Sequence, residues 1–258
     1  MPLLPFSSKA ESSQAKLAVL IDADNTQPAI IEGLLNEVAK YGVASVKRIY
    51  GDWTSNSLRS WKDRLLANAI QPIQQFSYTA GKNATDSAMI IDAMDLLYSE
   101  KLDGFCIVSS DSDFTRLAAR LRESGCTVYG FGEQKTPKPF VKVCDKFIYT
   151  EILVDSQEES DEDESRPKAK PRKAFKVDRK LIKLLQDAVD DIADESGWAY
   201  LGGVGQKINN RASEFDPRNY GFKKLGDLFR SIPQFETEER QQAQGTGRQV
   251  YIRWKRKR

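Results

Sequence analysis

The composition of this 258-residue chain excludes several classes of protein before any motif is considered. No apolar run reaches the roughly 18 residues that a membrane helix needs, and the first residues lack a signal-peptide layout, so a cytoplasmic protein is expected. The chain has no histidine, which excludes imidazole bases and zinc sites built from cysteine and histidine. Its net charge of +2 is nearly neutral, but the two signs are unevenly distributed.

The first part of the chain, residues 16–154, alternates short apolar runs with segments of helical periodicity, as a βαβ protein does. Strands are predicted at 18–21, 43–50, 70–76, 104–108 and 127–131, with helices between them. Continuous apolar strands favour a parallel sheet that is covered on both faces. The pattern therefore predicts a three-layer α/β domain, preceded by an N-terminal tail at residues 1–15.

The second half contains a composition change and then a smaller domain. Residues 155–175 are first acidic and then basic, with too few apolar side chains for a core, so they are predicted to be a flexible charged linker. Residues 176–254 show one clearly amphipathic helix, two further helical segments and a strand pair, which is typical of a small winged helix. Residues 255–258 form a basic tail.

Two acidic turns follow directly on apolar strands. Asp22 and Asp24 come after the first strand, and Asp111 with Asp113 comes after the fourth, while Asp86 begins the helix that precedes the fourth strand. The carboxyl ends of parallel strands meet at one edge of a sheet. These side chains are therefore expected to face the same crevice.

Clustered carboxylates need a cation, because two charges 4 Å apart repel by about 4 kcal/mol at an effective dielectric of 20. Oxygen ligands without histidine or thiolate favour Mg²⁺ or Mn²⁺, which can polarise a phosphodiester and activate water. The alternative is that these aspartates cap helices or are solvated loop residues. Asp92 lies two helical turns beyond Asp86 and is left out of the core site.

Three segments, LIDADN, KNATDSAMIID and VSSDSDF, resemble the signatures of the NYN domain, and the resemblance covers about residues 16–150. It implies a PIN-like fold and metal-dependent cleavage of RNA. Carried over motif by motif, it implies that Asp22 is the first-strand aspartate and Asp86 the helix-start aspartate. Asp111 and Asp113 then form the pair that follows the fourth strand, and all four are the implied catalytic and metal-binding residues.

Three further residues are candidate contacts with the substrate. Asn25 matches the asparagine that closes the first signature, and Ser110 stands where the family more often has glycine. Lys82 lies in a polar loop just ahead of Asp86 and is a candidate phosphate ligand. A solvated loop lysine is the alternative for Lys82.

The segments WAYLGGVG and NYGFKKLGDL resemble an OST-HTH or LOTUS domain. This resemblance implies a winged helix that binds RNA or, in some members, a protein partner. Arg218, Lys223, Lys224 and Arg230 are expected to line one helix near an exposed Tyr220, and basic groups beside an aromatic ring suit nucleic acid. The alternative places Tyr220 in the core and leaves the lysines to keep the domain soluble.

Together these features predict a metal-dependent ribonuclease, with endonuclease action favoured and RNA as partner. One alternative is a catalytically silent RNA-binding adaptor. Another is a haloacid dehalogenase-type phosphatase, because DADNT fits its DxDxT motif, although a helix begins here where that family usually has a flap. The sequence leaves open a homodimer, the preferred metal, and whether the C-terminal domain binds RNA or protein.

Overall fold

The computed structural model describes residues 14–76, 84–99, 101–154, 175–241 and 248–255. The described residues fall into two compact units, one within the bounds Met1–Ser109 and Arg116–Val128, the other within Ser110–Thr115 and Tyr129–Arg258. Every helix in the described ranges is too short or too polar to cross a lipid bilayer.

Six strands form the larger sheet: β1 (Lys16–Asp22), β2 (Val43–Gly51), β3 (Gln71–Gln74), β4 (Gly104–Val108), β5 (Thr127–Gly132) and β6 (Lys146–Tyr149). Their order is β3-β2-β1-β4-β5-β6, and β1 pairs in parallel with both β2 and β4. The pairings of β2 with β3 and of β5 with β6 are parallel too. Because the chain moves outward from β1 to β3 and then returns to β4, the topological switch point lies between β1 and β4. Open α/β sheets bind their ligands beyond the carboxyl ends of the strands at such a point.

The central strand β1 shows why the sheet has helices on both faces. All six of its residues from Leu17 to Asp22 are buried, whereas a strand with one solvated face would alternate between buried and exposed side chains. The predicted three-layer α/β fold is confirmed. The helices are α1 (Ile31–Val38), α2 (Lys62–Ala67), α3 (Ala84–Ser99), α4 (Thr115–Glu123), α5 (Lys138–Val143) and α6 (Glu151–Val154).

Three elements after β5 were not indicated by the sequence. The edge strand β6 has only four residues, and α5 and α6 have six and four, so none is long enough to establish a hydrophobic period. The predicted strands and helices before this point are present, with boundaries that differ by a few residues. Cys106 and Cys144 are buried, and Cys126 is partly exposed.

The described part of the C-terminal domain consists of three helices and a second sheet: α7 (Arg179–Asp190), β7 (Trp198–Tyr200), α8 (Leu201–Arg211), α9 (Leu225–Ser231), β8 (Phe235–Gln241) and β9 (Arg248–Trp254). The sheet is antiparallel in the order β7-β9-β8. The predicted helices and hairpin are present, and β7 is an additional strand. Leu185, Val204, Phe229 and Ile252 belong to one buried core shared by these elements.

Within the second unit, the loop after α8 contacts the edge strand β6. The Phe147 N–H donates a 2.9 Å hydrogen bond to the carbonyl oxygen of Ser213. Phe175, the last residue of the predicted linker, packs edge-on against both Tyr149 and Tyr220, with ring centroids 5.9 and 5.6 Å apart. The segment predicted to be a linker therefore ends in a residue that takes part in packing.

Candidate metal centre and nucleic-acid surface

Asp22 lies at the end of β1 and is only 1% exposed. Its Oδ2 accepts hydrogen bonds from the Asn25 side-chain amide at 2.7 Å and from the Ser109 hydroxyl at 2.8 Å. Its Oδ1 accepts the backbone N–H of Asp24 at 3.0 Å. Ser109 follows β4 directly, so the ends of two neighbouring strands hold this carboxylate at the switch point of the sheet.

Burial raises the pKa of the Asp22 carboxyl above that of an ordinary aspartate, because a charge is poorly solvated inside a protein. The hydrogen bonds from Asn25, Ser109 and the Asp24 backbone oppose this rise, since they stabilise the ionised form. The charge of Asp24 raises the pKa further. A cation near Asp22 would favour the ionised carboxylate and so offset the effect of burial.

Asp86, Asp111 and Asp113 form an acidic group. Each offers one carboxylate oxygen, and the three oxygens lie within 4.8 Å of one another. Asp86 lies in the first turn of α3, and Asp111 caps the 3-10 turn Ser112–Phe114 by accepting the Asp113 N–H at 2.9 Å. Within the described residues this group does not include Asp22.

The donor set of this acidic group fits a hard divalent cation. Three carboxylate oxygens without nitrogen or sulfur are ligands that Mg²⁺ and Mn²⁺ prefer. Charges at 4.8 Å repel by about 3–4 kcal/mol per pair at an effective dielectric of 20, so a cation among them removes a substantial cost. The structure thus brings together three of the four predicted ligands as one group.

The predicted substrate contacts have different surroundings. The Asn25 amide is engaged with Asp22, so it orients that carboxylate. Ser110 is 8% exposed, and its hydroxyl oxygen accepts the Glu133 N–H at 2.9 Å, which links the acidic turn to the residue after β5. Lys82 lies outside the described residues. Contact of Asn25, Ser110 and Lys82 with a substrate stays a prediction.

Sequence reasoning missed the role of Ser109. It is buried and bonded to Asp22, whereas the sequence showed only a polar residue between an apolar strand and an acidic turn. The available signal was its position as the first polar residue after β4, where the carboxyl ends of the strands meet.

Asp92 belongs to a structural network on the sheet. Its Oδ2 accepts hydrogen bonds from the Arg48 guanidinium and the Tyr50 hydroxyl, both at 2.8 Å. Burial and the Asp92 charge raise the pKa of Tyr50, so the hydroxyl stays protonated and donates. Leaving Asp92 out of the acidic site agrees with these contacts.

The C-terminal surface differs from its prediction. Tyr220 is not an exposed ring: it packs beside Phe175 and Phe215 against the core, and burial raises its pKa to about 12. Isolated aromatic residues in a loop have no periodicity that would show which ring faces inward, so the sequence could not decide whether Tyr220 is buried. The structure agrees with the alternative interpretation, in which Tyr220 packs against the core.

The four basic residues do not line one helix. Arg218 lies in the 3-10 turn Pro217–Tyr220, whereas Arg230 lies in α9 and contacts Asp227 at 3.0 Å. The Arg218 guanidinium forms two hydrogen bonds with Asp216, at 2.9 and 2.7 Å, and the Asp216 side chain is only 9% exposed. Lys223 and Lys224 precede α9 and are exposed.

Comparisons with known proteins give two family matches. The model of the NYN domain matches residues 16–153, and the model of the OST-HTH/LOTUS domain matches residues 173–246. The chain has no match among curated proteins.

Solved structures from three bacteria are similar to parts of the chain. A protein of unknown function from Vibrio parahaemolyticus is 17% identical, covers 54% of this chain and 94% of its own, and has a TM-score of 0.46. An uncharacterized protein from Nitrosomonas europaea is 33% identical. The match covers 37% of this chain and 90% of that protein, with a TM-score of 0.31. A protein from Chromobacterium violaceum is 27% identical. The match covers 33% of this chain and 87% of that protein, with a TM-score of 0.26. These scores are too low to support a conclusion.

Proposed function

Because the chain belongs to the NYN domain family and carries an OST-HTH/LOTUS domain behind it, we propose that it is a metal-dependent ribonuclease with an RNA-binding module. The observation that carries this proposal is the acidic group of Asp86, Asp111 and Asp113, whose carboxylate oxygens lie within 4.8 Å of one another. These are residues that the NYN signatures indicate as ligands, and Asp86 comes from a different element than Asp111 and Asp113.

Asp86, Asp111 and Asp113 would hold Mg²⁺ or Mn²⁺, with Asp22 as the fourth acidic residue of the site. When bound, such an ion stabilises charge on the phosphodiester and lowers the pKa of water. Asn25 and Ser109 orient Asp22 through its Oδ2. We favour cleavage inside the RNA chain, with Lys82 as a phosphate contact.

The C-terminal domain is proposed to bind RNA, with Lys223 and Lys224 contacting phosphates. Both side chains are exposed, and Lys224 directly precedes α9. We propose that the domain boundaries follow the sequence pattern, with the nuclease at residues 16–154 and the RNA-binding domain at 176–254.

Cleavage of labelled RNA in Mg²⁺, in Mn²⁺ and in EDTA tests the proposal. A ribonuclease cleaves with either metal and stops in EDTA, and a circular RNA, which has no ends, is cut only by an endonuclease. RNA binding without cleavage would support the silent adaptor instead. Hydrolysis of a phosphate monoester through a covalent aspartyl-phosphate would support the phosphatase, which membership of the NYN family already disfavours.

A further inference from the structure

The three-stranded sheet of the C-terminal domain presents aromatic rings on the face that points away from the core. Ile252 of β9 and Ala199 of β7 are buried and pair with each other. Because successive side chains of a strand point to opposite faces, the neighbours of Ile252 and Ala199 lie on the outer face. We call this surface the outer sheet face and define it by Trp198, Tyr200, Arg240, Tyr251 and Arg253.

Arginine side chains lie over the rings of the outer sheet face. The guanidinium carbon of Arg240 is 4.9 Å from the ring centroid of Trp198 and 4.5 Å from that of Tyr251. Arg253 is 4.6 Å from the same tryptophan ring. These are cation–π distances, and an arginine held on a ring has less conformational freedom to lose when it binds a ligand.

Tyr200 is the most open ring of the outer sheet face. It is 45% exposed, and its ring centroid lies 5.9 Å from that of Tyr251. A methyl group at Gly202 would lie 2.7 Å from the Tyr200 ring, so glycine lets the ring lie against the start of α8. None of Trp198, Tyr200 and Tyr251 belongs to the described core cluster, so these rings do not fill the core.

The arginines of the outer sheet face can exchange their partners. Arg253 contacts Glu236 and Arg240 contacts Glu238, but these glutamate side chains are 37% and 48% exposed. Ion pairs in such water-exposed positions contribute little to stability, so an RNA phosphate can compete with the glutamates for these guanidinium groups. The Asp216 side chain that holds Arg218 is by contrast 9% exposed, so that arginine is fixed.

The residues that follow β9 in the sequence are basic, which complements a polyanion. Lys255 is exposed, and the sequence continues with Arg256, Lys257 and Arg258. Four successive cations directly after a strand of the outer sheet face attract phosphates whatever the base sequence.

We infer that the outer sheet face binds single-stranded RNA by stacking bases on the open Tyr200 ring and on the guanidinium planes that lie over Trp198 and Tyr251, while the N–H groups of these arginines contact phosphates. This deepens the proposed function, on which it rests, because it assigns the base-contacting surface that Tyr220 does not provide. Bases of a single strand are free to stack on aromatic side chains and guanidinium planes, whereas those of a duplex are already stacked on each other. The occupant is therefore a single strand.

The test measures binding of the full chain to a fluorescent single-stranded oligoribonucleotide in EDTA. Tyr200→Ala is expected to weaken binding about five- to 150-fold, the usual loss for one stacked base. Tyr200→Phe is expected to keep the affinity, because stacking needs the ring and not the hydroxyl. The matched control is Tyr98→Ala, which removes a tyrosine that is 70% exposed at the far end of α3. The same strand annealed to its complement should bind more weakly than the free strand.

Wild-type affinity in both Tyr200→Ala and Tyr251→Ala, with an intact fold by circular dichroism, would overturn the inference while leaving RNA binding by the protein in place. Equal affinity of every variant for duplex and single strand would overturn it as well. If the wild-type chain binds no RNA in EDTA, the RNA-binding part of the proposed function fails. The three results are distinguishable because the first two require a wild-type chain that binds.

Discussion

The Ser109 hydroxyl donates a 2.8 Å hydrogen bond to the Asp22 carboxylate, although 87 positions separate the two residues. Both residues are only 1% exposed. The bond joins the ends of β4 and β1 at the switch point of the sheet, and it leaves the carboxylate fewer orientations. The orientation of Asp22, the fourth acidic residue of the proposed site, therefore depends on a residue that is not itself acidic.

Ser109→Ala should lower both stability and cleavage. A buried hydrogen bond to a charged group contributes about 1.5–3 kcal/mol, so we expect the free energy of unfolding to fall by that amount. Denaturant unfolding and the cleavage rate of the folded protein are the measurements. Ser99→Ala, an exposed serine at the end of α3, is the control and should change neither. Unchanged unfolding of Ser109→Ala would contradict the role given to this bond.

Asp111→Asn should abolish cleavage without loss of the fold. Asparagine can still accept the Asp113 N–H and cap the 3-10 turn, so the change removes mainly the charge. We expect the rate to fall by roughly two orders of magnitude or more, since a bound ion supplies several kcal/mol of charge stabilisation. Asp22→Asn is expected to have a similar effect. Asp95→Asn, an exposed carboxylate on α3, is the control, and equal rates in all three variants would refute the assignment.

Mg²⁺ or Mn²⁺ should raise the melting temperature of the protein. A ligand that binds only the folded state stabilises it by about 2.7 kcal/mol at one hundred times its dissociation constant. The acidic group supplies the affinity because the ion removes repulsion between its carboxylates. Differential scanning fluorimetry with rising metal concentration measures the shift, which should be absent from Asp86→Asn. A shift of the same size in that variant would place the ion elsewhere.

Asp92→Ala should destabilise the protein but spare the chemistry. The change leaves the Arg48 guanidinium and the Tyr50 hydroxyl without their shared acceptor, which costs about 1–3 kcal/mol for a buried polar group. Chemical denaturation measures this loss. The metal-induced rise in melting temperature should remain, because Asp92 is outside the acidic group. Loss of that rise would show that Asp92 belongs to the metal site after all.

Cleavage of the chain at a protease site introduced near residue 165 should leave the two fragments associated. The Phe147 N–H donates to the Ser213 carbonyl, and Phe175 packs against Tyr149, so residues before and after the cut contact each other. Size-exclusion chromatography of the cut protein measures the association. Elution as two separate fragments at micromolar concentration would show that these contacts are too weak to hold them.

Much of the site was predictable because its signals are local. Asp22 and Asp111 each follow an apolar run of strand length, and parallel strands bring their carboxyl ends to one edge whatever else the fold does. The absence of histidine removed imidazole nitrogen from the possible ligands. Asp92 illustrates the limit: its spacing from Asp86 suited the site equally well, and only the contacts with Arg48 and Tyr50 show where it belongs.

The sequence by itself determined the class of fold and the carboxylates available to the proposed acidic site, since both follow from local patterns of apolar runs and from which side chains the chain contains. Only the tertiary structure decided that Ser109 holds Asp22, because that contact depends on β1 and β4 being neighbours in the sheet. It also decided which arginines lie on aromatic rings. Arg253 meets Trp198 through the register of β7 on β9, a pairing between distant segments that no local pattern encodes.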